Sequence, residues 1–430
     1  MWKKIKNIYH FFIASLANFW HGSPSKNLIV IGITGTDGKT TTASLIHHIL
    51  KSSGFSSSII SSIGAEINGR KYPLPFHVTT PPPFALQKFI KRAVAFKEKS
   101  YLVLEVTSHS LDQQRVFGIN FEIGVITNIT REHLDYHKTY ENYIKAKTKL
   151  LEMSRIAVLN QDDESYELIK KELGESKKIK IITYGSRKSS DINPIDFKYK
   201  SKLLGQFNKY NILAGIAVCV NLGIKKKKII NAVGTFNPPL GRQDIVYPSA
   251  GSGQGDFTVM IDFAHTPNSF LQILKVLRKK VKGRIIHVFG AAGQRDALKR
   301  PEMGKISSEY CDIVIVTSED PRSERIEKIT DEIIAGIDNR ENRIKNKTLL
   351  KISDRQKAIT EAIKMAKRDD LVLLTGKSHE KSINYGLGEE LWDEFEAAKE
   401  AIESRSMNYE SRTRIKNKNL ENLRLPGVSS

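Results

Sequence analysis

The sequence has few cysteines and lacks any long apolar run, and both features narrow the class of protein. Its 430 residues include two cysteines, Cys219 and Cys311. Two are too few for a disulfide framework or a cysteine zinc site, so a reducing cytoplasm is the predicted location. Apolar runs are all much shorter than the roughly 20 residues that span a bilayer. The chain is nevertheless 40% hydrophobic, which is ordinary for a globular protein and too apolar for a disordered one.

Acidic residues are also scarce relative to basic ones. Lys and Arg number 68 against 47 Asp and Glu, a net charge of +21, which suggests a nucleic acid, a membrane surface or an anionic small molecule as partner. No basic repeat interleaved with aromatic residues is present, so we exclude nucleic acid. The lysine-rich runs at 225–228 and 278–282 are typical of solvated helix ends. The basic tail, residues 405–430, has few core-forming residues and is predicted to be disordered.

The first 26 residues differ from the rest of the chain. Lysines precede an apolar stretch at residues 8–20, which His10, Ser15 and Asn18 interrupt. The Phe-Trp-His-Gly around its end lacks the small-residue cleavage site of a signal peptide. The favoured interpretation is an amphipathic helix within residues 1–26 that packs its aromatic face on the following domain. The alternative is a helix lying in the membrane interface, which would make a cytoplasmic protein membrane-associated.

From Leu28 onward, short apolar runs alternate with amphipathic stretches. Unbroken Val, Ile and Leu runs bounded by Gly, Ser or Thr are typical of strands buried on both faces, so they predict parallel sheets covered by helices. The runs are residues 28–33, 101–106, 123–129, 156–160, 179–185, 257–263, 284–290, 312–318 and 370–376. A Pro- and Gly-rich stretch, FNPPLGRQD with GSGQG after it, divides the two sets. The predicted fold class is therefore α/β, with one domain over residues 27–237 and a second, Rossmann-like domain over residues 238–404.

The strongest single signal is a glycine-rich loop directly after the first apolar run: Gly35-Thr36-Asp37-Gly38-Lys39-Thr40-Thr41. A helical pattern follows, and strand, loop and helix in this order direct backbone N–H groups and the positive helix end at phosphates. Lys39 can neutralise the β- and γ-phosphates, and the Thr40 hydroxyl can hold Mg²⁺. The spacing departs from the usual P-loop, because Ile33 stands where a glycine is usual. The Asn-Lys-x-Asp motif with which GTPases read their base is lacking, so residues 27–237 are predicted to be a P-loop ATPase domain.

Acidic and histidine residues follow two later strands. Glu105 ends one strand, and residues 128–137 follow the next. Open α/β sheets bind ligands at the carboxyl ends of their strands, so Glu105 with His133 could coordinate Mg²⁺ or Mn²⁺ around a triphosphate. His133 and His137 could instead bind zinc. We set this aside because Leu134 stands where a zinc protease has its glutamate.

These motifs resemble those of the Mur ligase family, and they occur in family order across residues 28–404. They are GTDGKTTT, TTP, EVTSHSLDQQRV, TNITREHLDYH, YIKAK, LLGQFNKYN, GRQDIV, DFAHTPNS, FGAAGQRD, EDPR and GKSHE. Within the family, the combination is most similar to ligases that add meso-diaminopimelate or lysine to UDP-N-acetylmuramoyl-L-alanyl-D-glutamate in peptidoglycan precursor synthesis. The resemblance implies an ATP-dependent, ADP-forming amide-bond ligase. ATP would convert a carboxylate to an acyl phosphate, which the incoming amine attacks. We expect a monomer with small-molecule substrates.

The resemblance also implies roles for the matching residues. Lys39, His133 and Lys147 would be catalytic: Lys39 would hold the migrating phosphoryl group, and Lys147 would be carbamylated and so become an anionic metal ligand. The implied ligands of Mg²⁺ are Thr40, Glu105, His133 and Lys147. The implied ATP contacts are Gly35, Thr36, Asp37, Gly38, Lys39, Thr40, Thr41, Asn211, Arg242 and Asp262, with the base and ribose between the domains.

Two further sets of residues match the family's substrate pockets. The implied contacts of the muramoyl-peptide donor are Thr79, Thr80, Thr107, Gln113 and Arg115. The implied contacts of the incoming amino acid are Arg295, Glu319, Asp320, Pro321, Arg322, Gly376 and Glu380. Arg295 and Arg322 can each bind a carboxylate through two hydrogen bonds, and Glu380 can accept from an ammonium group.

Two departures from the family pattern leave alternatives open. Asp320 stands where diaminopimelate ligases have Asn. Arg322 favours a distal carboxylate and Asp320 a distal amine, so we predict diaminopimelate, with lysine as the alternative. The P-loop begins at residue 35, and the roughly 27 residues before its strand leave no room for the family's UDP-binding N-terminal domain. Either UDP is held by other surfaces, or the acyl donor is a different, lipid-linked or cytosolic one. A third hypothesis, a non-catalytic ATP-binding scaffold, is disfavoured by the intact lysines and metal ligands.

Overall fold

The chain divides into two units, Met1–Arg242 and Gln243–Ser430. The computed structural model describes residues 2–94, 100–174, 179–247, 257–337 and 348–407. The predicted domain boundary at residues 237/238 lies close to this division and stays a prediction. The GSGQG part of the predicted boundary stretch lies outside the described residues.

The first unit contains an eight-stranded sheet in the order β4-β3-β2-β5-β1-β6-β7-β8. Its strands are β1 (Leu28–Thr34), β2 (Ser57–Ser61), β3 (Gly64–Ile67), β4 (Arg70–Tyr72), β5 (Ser100–Glu105), β6 (Phe121–Ile126), β7 (Ser154–Asn160) and β8 (Lys180–Tyr184). Its described helices are α1 (Trp2–Trp20), α2 (Lys39–Ser52), α3 (Pro83–Ala93), α4 (Ser108–Asp112), α5 (Leu134–His137), α6 (Tyr140–Glu152), α7 (Tyr166–Leu173), α8 (Gln206–Asn221) and α9 (Lys226–Thr235), with a 3₁₀ turn at Pro24–Asn27.

Strand β1 lies at the centre of this sheet, between β5 and β6. In the parallel ladders, Ile33 pairs with Glu105 on one side and Thr34 with Ile126 on the other. The loops that follow β1, β5 and β6 therefore meet at one edge of the sheet, which is where parallel α/β sheets place their ligands. Apolar layers on both faces fix the sheet, and α2 and α8 cover one of them.

The second unit contains a six-stranded sheet in the order β13-β12-β11-β14-β10-β9, and a separate β15–β16 hairpin. Its strands are β9 (Asp244–Tyr247), β10 (Thr258–Asp262), β11 (Ile285–Phe289), β12 (Ile313–Val316), β13 (Thr348–Lys351), β14 (Leu371–Thr375), β15 (Ser382–Asn384) and β16 (Glu389–Leu391). Its described helices are α10 (Pro267–Lys280), α11 (Lys299–Tyr310), α12 (Ile326–Ala335), α13 (Arg355–Met365) and α14 (residues 394–407).

All nine apolar runs form strands, and the predicted α/β fold is confirmed. The sheets are not wholly parallel, however: β3, β4 and β9 are antiparallel to their neighbours. The β3–β4 pair has a local cause. Asn68 and Gly69 join these strands with φ of +50° and +80°, the left-handed pair of a tight two-residue hairpin turn.

Two predictions about the ends of the chain are wrong in part. The tail was expected to be disordered from Arg405, but α14 continues to residue 407. Arg405 is held there by Ile363 O and by the ring of Phe257, 4.5 Å from its guanidinium carbon. Residues 408–430 lie outside the described residues.

The N-terminal helix forms as α1, but its aromatic face is exposed instead of packed. Ala14 and Ala17 are the buried residues, while Phe12 and Phe19 point to solvent. Small side chains let α1 approach the rest of the first unit closely, so the alanine face makes the contact and the aromatic face does not. None of the described helices has the length and apolarity to cross a bilayer.

Candidate functional site

The loop between β1 and α2 depends on two glycines. Gly35 and Gly38 have φ of +150° and +82°, values that side-chain-bearing residues rarely adopt. A Cβ at Gly35 would lie 1.8 Å from Thr127 Oγ1, and one at Gly38 would lie 2.1 Å from Asn211 Oδ1. The loop is thus packed tightly from behind. It leads into the N-terminus of the 14-residue helix α2, whose first N–H groups lack helical partners and suit an anion.

Two lysines share one carbonyl oxygen of this loop. Lys39 Nζ donates to Gly35 O at 3.1 Å and to Thr36 O at 2.9 Å, and Lys147 Nζ, from α6, donates to Gly35 O at 2.7 Å. Lys147 is fully buried, and its Nζ lies 4.6 Å from the centroid of the Tyr143 ring. Burial, and then the positive charge of Lys39, hold the pKa of Lys147 well below its usual range. Both effects disfavour the ammonium form of Lys147.

Thr40 and Glu105, two of the predicted Mg²⁺ ligands, are in direct contact. Thr40 Oγ1 lies 3.1 Å and 3.2 Å from the two carboxylate oxygens of Glu105. The Ser62 N–H also donates to Glu105 Oε2 at 3.0 Å, and Arg242 Nη2 donates to Thr40 Oγ1 at 3.3 Å. A buried carboxylate, a hydroxyl and a guanidinium therefore converge at the start of α2.

His133 belongs to a neighbouring aromatic cluster. It precedes α5 with φ of +57°, and its ring centroid lies 4.9 Å from that of His109 and 6.2 Å from that of Tyr143. Tyr143 is the ring above which the amine of Lys147 lies. The buried Glu132 adds a negative charge that partly opposes the lowering of the Lys147 pKa. His133 is thus linked to Lys147 through Tyr143.

These residues fit Mg²⁺ better than a transition metal. In the described part of the first unit, no three His, Cys, Asp or Glu side chains bring ligand atoms within 4.8 Å of one another, so a protein-built cage is lacking there. Mg²⁺ prefers oxygen ligands, keeps several waters and is bound by one or two protein groups plus substrate phosphates. The Thr40 hydroxyl and the Glu105 carboxylate match that requirement.

Two of the predicted donor contacts, Thr80 and Thr107, form a polar network at the end of β5, and a third, Gln113, lies just after α4. Thr80 Oγ1 donates to Glu105 O at 3.1 Å and accepts from Thr107 N at 3.2 Å. Thr107 then caps α4, and Gln113, just after α4, donates to Tyr136 OH at 3.3 Å. The predicted contacts Thr79 and Arg115 are half-buried, and burial lowers the pKa of Arg115.

Asn211 and Asp262, two of the predicted nucleotide contacts, each form hydrogen bonds within their own unit. Asn211, on α8, donates from Nδ2 to Asn208 Oδ1 at 2.9 Å and lies against the P-loop. Asp262, at the end of β10, accepts from the Gln243 N–H at 2.8 Å and the Ala264 N–H at 2.7 Å. Asp262 therefore orders the backbone on both sides of it.

Apart from Arg295, the predicted acceptor residues of the second unit follow β12 and β14, at the carboxyl ends of these strands. Residues 319–322 form one loop and residues 376–380 the other. The buried Lys377 joins them, because its Nζ lies 3.1 Å from Asp320 Oδ1 and 2.7 Å from Glu380 Oε2. Burial disfavours the ammonium form, but these carboxylates outweigh burial and raise the pKa of Lys377. Lys377 is therefore an internal cation that balances both acidic groups.

Glu319 is buried beside this ion-pair group. Among the described residues its Oε2 has no hydrogen-bond partner, and it packs so tightly on Gly376 that a Cβ there would lie 2.7 Å away. Burial raises the pKa of Glu319 to about 7, although Lys299 and Lys377 oppose the shift. Glu319 consequently titrates near neutral pH.

The two predicted arginines of the acceptor pocket differ in surroundings. Arg322 is half-buried with φ of +53°, and its N–H donates to Asn384 O at 2.8 Å. Within the ranges that the structure describes, its guanidinium makes no hydrogen bond or ion pair. Asp320 Oδ1 is instead bonded to the Asn384 N–H, at 3.0 Å, as well as to Lys377. Arg295 is exposed in the loop after β11, and Pro321 is buried.

A buried arginine that sequence reasoning missed connects the two acceptor loops. Arg355 donates to Ser318 O at 2.9 Å and to Thr375 O at 2.8 Å, and it is paired with Glu394. Ser318 and Thr375 directly precede Glu319 and Gly376. Arg355 therefore holds the backbone of both loops in place.

The sequence reasoning also missed residues of the first unit. Thr127 and Asn128 hold the P-loop from behind: Thr127 Oγ1 donates to Asp37 O at 2.6 Å, and Asn128 Oδ1 accepts from Asp37 N at 3.0 Å. Glu132 and Tyr143 surround Lys147. All four residues lie in the motifs TNITREHLDYH and YIKAK, which carry the family resemblance and could have indicated these residues.

Matches to known families cover most of both units. Residues 33–219 match the Mur ligase middle domain, and residues 248–378 match the Mur ligase, glutamate ligase domain. The chain is 39% identical over 382 residues to UDP-N-acetylmuramoyl-L-alanyl-D-glutamate–2,6-diaminopimelate ligase 1 of Clostridium acetobutylicum, covering 85% of this chain and 76% of the relative. It is 39% identical over 385 residues to the corresponding ligase of Aquifex aeolicus, covering 85% and 75%.

Solved structures agree with this similarity. A UDP-N-acetylmuramoyl-L-alanyl-D-glutamate–2,6-diaminopimelate ligase structure superposes with a TM-score of 0.56 at 29% identity, covering 88% of this chain and 79% of that one. A folylpolyglutamate synthase of Mycobacterium tuberculosis complexed with ADP superposes with a TM-score of 0.66 at 16% identity, covering 86% and 92%. The latter likeness concerns the fold alone.

Proposed function

Since this chain belongs to the Mur ligase family, we propose that it is an ATP-dependent ligase that adds meso-diaminopimelate to UDP-N-acetylmuramoyl-L-alanyl-D-glutamate. The family, the fold class and the ligase assignment predicted from the sequence are confirmed by the relatives. The identity of both substrates is our proposal. The need for ATP and for a nucleotide-linked donor supports a cytoplasmic site of action, and the monomeric state stays a prediction.

The chemistry that we propose has two steps. A donor carboxylate oxygen attacks the γ-phosphorus of ATP, an O–P bond forms, and ADP leaves. The deprotonated amine of the acceptor then attacks the acyl carbon, a C–N bond forms, and phosphate leaves. Lys39 offsets the charge of the migrating phosphoryl group, and the N-terminus of α2 orients the phosphates. Thr40 and Glu105 would hold Mg²⁺, which would neutralise charge on the triphosphate.

We also propose that Lys147 reacts with CO₂ to form a carbamate. A neutral amine attacks CO₂, an N–C bond forms, and one proton is released, so the lysine becomes an anionic oxygen ligand. The surroundings of Lys147 support this step. The amine is buried, donates to Gly35 O and has no carboxylate within ion-pair distance in the described part of the chain.

The observation that supports diaminopimelate over lysine is the state of Arg322. Its guanidinium has no carboxylate partner among the described residues, whereas Asp320 is bonded to Lys377 and to the Asn384 N–H. Arg322 can therefore read the distal carboxylate that diaminopimelate has and lysine lacks. Asp320 is already engaged by the protein's own ammonium group, so it is a weak candidate for reading a second one.

The test is ligation by the purified full chain, with the UDP-linked muramoyl dipeptide, ATP and either diaminopimelate or lysine. We expect diaminopimelate to be the better acceptor, with phosphate release matched by the ligated product in mass spectra. Arg322→Ala should lower kcat/KM for diaminopimelate at least about tenfold, because one charge-assisted contact is lost. The value for lysine should hardly change.

The exposed Arg325, three residues further on, provides the matched control. Arg325→Ala should behave as the wild type with both amino acids. A wild-type enzyme that prefers lysine, or an Arg322→Ala variant with an unchanged preference, would contradict the acceptor assignment. Failure of the UDP-linked donor with every amino acid would instead contradict the donor assignment.

A further inference from the structure

We propose that α1 docks on an anionic lipid bilayer through the face that it turns to solvent. Six large side chains form this apolar face, and all six are exposed: Ile8 (68%), Tyr9 (61%), Phe12 (65%), Leu16 (41%), Phe19 (81%) and Trp20 (74%). At about 100° per residue they fall on one arc of about 120°. Contiguous exposed apolar surface of this kind marks an interaction site in proteins.

The opposite face of α1 fixes the helix on the first unit. Ala14 and Ala17 are buried, and Asn7 Nδ2 donates to Asp112 O at 3.0 Å. At the edge of this face, the rings of Phe11 and Phe117 meet edge to face with centroids 4.4 Å apart. The helix therefore cannot turn its apolar face inward without breaking these contacts. The exposure of the aromatic residues is a built feature of the first unit.

The positive charge of residues 1–27 favours binding to an anionic surface. The first 27 residues contain Lys3, Lys4, Lys6 and Lys26, and neither Asp nor Glu. A helix with lysines at one end and Trp, Tyr and Phe along one face has the composition of helices that lie in the interface of anionic bilayers. Trp and Tyr are favoured there because each has an apolar body and a polar tip. The absence of a helix able to span a bilayer among the described residues agrees with a helix that lies on the surface.

A second copy of the chain is the competing occupant. Pairing two copies through α1 would bring together two helices that carry only positive charges, in a protein of net charge +21. Such pairing is opposed by repulsion, whereas phosphate-rich lipid headgroups attract the same lysines. The charges therefore favour lipid over self-association. This inference goes beyond the ligase proposal and does not depend on it.

The test is flotation of the full chain with vesicles of phosphatidylcholine and phosphatidylglycerol, compared with pure phosphatidylcholine. We expect at least about tenfold tighter binding to the anionic vesicles, weakening as salt is raised. Trp20 emission should shift to the blue on binding. The double change Phe12→Ser and Phe19→Ser should lower the affinity at least about tenfold, because two anchors are lost from exposed positions.

The matched control uses two exposed leucines of the second unit. Leu387 and Leu391 are 105% and 87% exposed, so Leu387→Ser with Leu391→Ser removes apolar surface elsewhere and should leave vesicle binding unchanged. Both double variants should keep wild-type thermal stability and ligase activity on soluble substrates. Equal binding of wild type and the Phe12/Phe19 variant would overturn the proposal. So would an α1-dependent dimer in sedimentation that does not bind vesicles.

Discussion

Each unit has a lysine with almost no exposed side chain at the carboxyl edge of its sheet, and these two lysines, Lys147 and Lys377, have opposite surroundings. Lys147, next to the P-loop, donates to a carbonyl oxygen and lies over an aromatic ring. Lys377, in the acceptor loops, is bonded to the carboxylates of Asp320 and Glu380. The pKa of Lys147 is lowered and that of Lys377 is raised. Burial lowers the pKa of both lysines, so the contacting carboxylates account for the rise at Lys377, and the charge of Lys39 adds to the fall at Lys147.

The comparison shows how one residue type serves two kinds of chemistry. Burial without a contacting carboxylate shifts a lysine towards its neutral amine, which is the form that can react with an electrophile. A buried lysine between two carboxylates remains an ammonium ion and can only hold charges in place. Substitutions of Lys147, Lys377 and the neighbouring Glu319 test whether the two lysines differ in this way.

The largest effect is expected from removing the reactive amine. Lys147→Ala should lower kcat at least about a thousandfold, because the carbamate that we propose as an anionic metal ligand is lost. Formate or acetate should restore part of the activity by filling the vacated anionic position. The measurement is ADP release at saturating substrates with increasing carboxylate concentration.

Lys145 offers the control for this change, since it lies on the same helix with an exposed side chain paired to Glu172. Lys145→Ala should keep nearly full activity. Full activity of Lys147→Ala without any additive would remove carbamylation from the mechanism.

The next largest effect is a difference in the free energy of unfolding between variants of the two lysines. Lys377→Met should destabilise the protein by about 3–5 kcal/mol, because it removes the buried cation that offsets the charges of the buried Asp320 and the half-buried Glu380. Lys147→Met should change stability by about 1 kcal/mol or less, since Gly35 O still accepts from Lys39. The measurement is urea-induced unfolding of both variants in CO₂-free buffer. Equal losses of stability in the two variants would mean that the neighbouring carboxylates do not set the difference.

The smallest effect concerns Glu319, which lies among the charges around Lys377. Its pKa is raised from 4.5 to about 7, so between these pH values the folded protein binds a proton that the unfolded chain has released. The contribution of Glu319 to stability is thus present below pH 4.5 and lost as pH rises through about 7. Glu319→Gln cannot titrate and should gain about 1–3 kcal/mol relative to wild type between pH 4.5 and 8.

Thermal unfolding of both proteins across this pH range measures that gain. The difference in Tm between Glu319→Gln and wild type should rise with pH by several degrees. A difference that is flat, or that falls with pH, would show that nearby Lys299 and Lys377 keep the carboxylate charged throughout.

The sequence predicted the strands and the P-loop well because both depend on local patterns. A continuous apolar run before Gly35, and a helical pattern after Thr41, have one common arrangement in parallel sheets. The roles of Asn128 and Tyr143 depend on β6 and α6 lying beside β1, which no local pattern encodes. The ion pairs of Lys377 likewise appear only when the loops after β12 and β14 meet.

The orientation of α1 shows a different limit. The spacing of apolar residues correctly predicted an apolar face on α1, but it does not show which face of the helix packs on the rest of the first unit. The face with the small residues Ala14 and Ala17 packs on the first unit because these residues allow close approach. Larger residues such as Phe12 remain exposed. Size, as well as hydrophobicity, decided the packing.

Arg355 has a consequence for how tightly the acceptor pocket can bind. By bonding Ser318 O and Thr375 O, it fixes the spacing of two loops that belong to different strands. These loops therefore lose their conformational entropy when the protein folds. Binding of an amino acid does not have to order them again, so this loss does not lower the affinity. If these loops form the acceptor pocket that we propose, Arg355 makes the pocket preorganised, and we expect selectivity between amino acids of similar length to depend on this rigid frame as well as on the contacting groups.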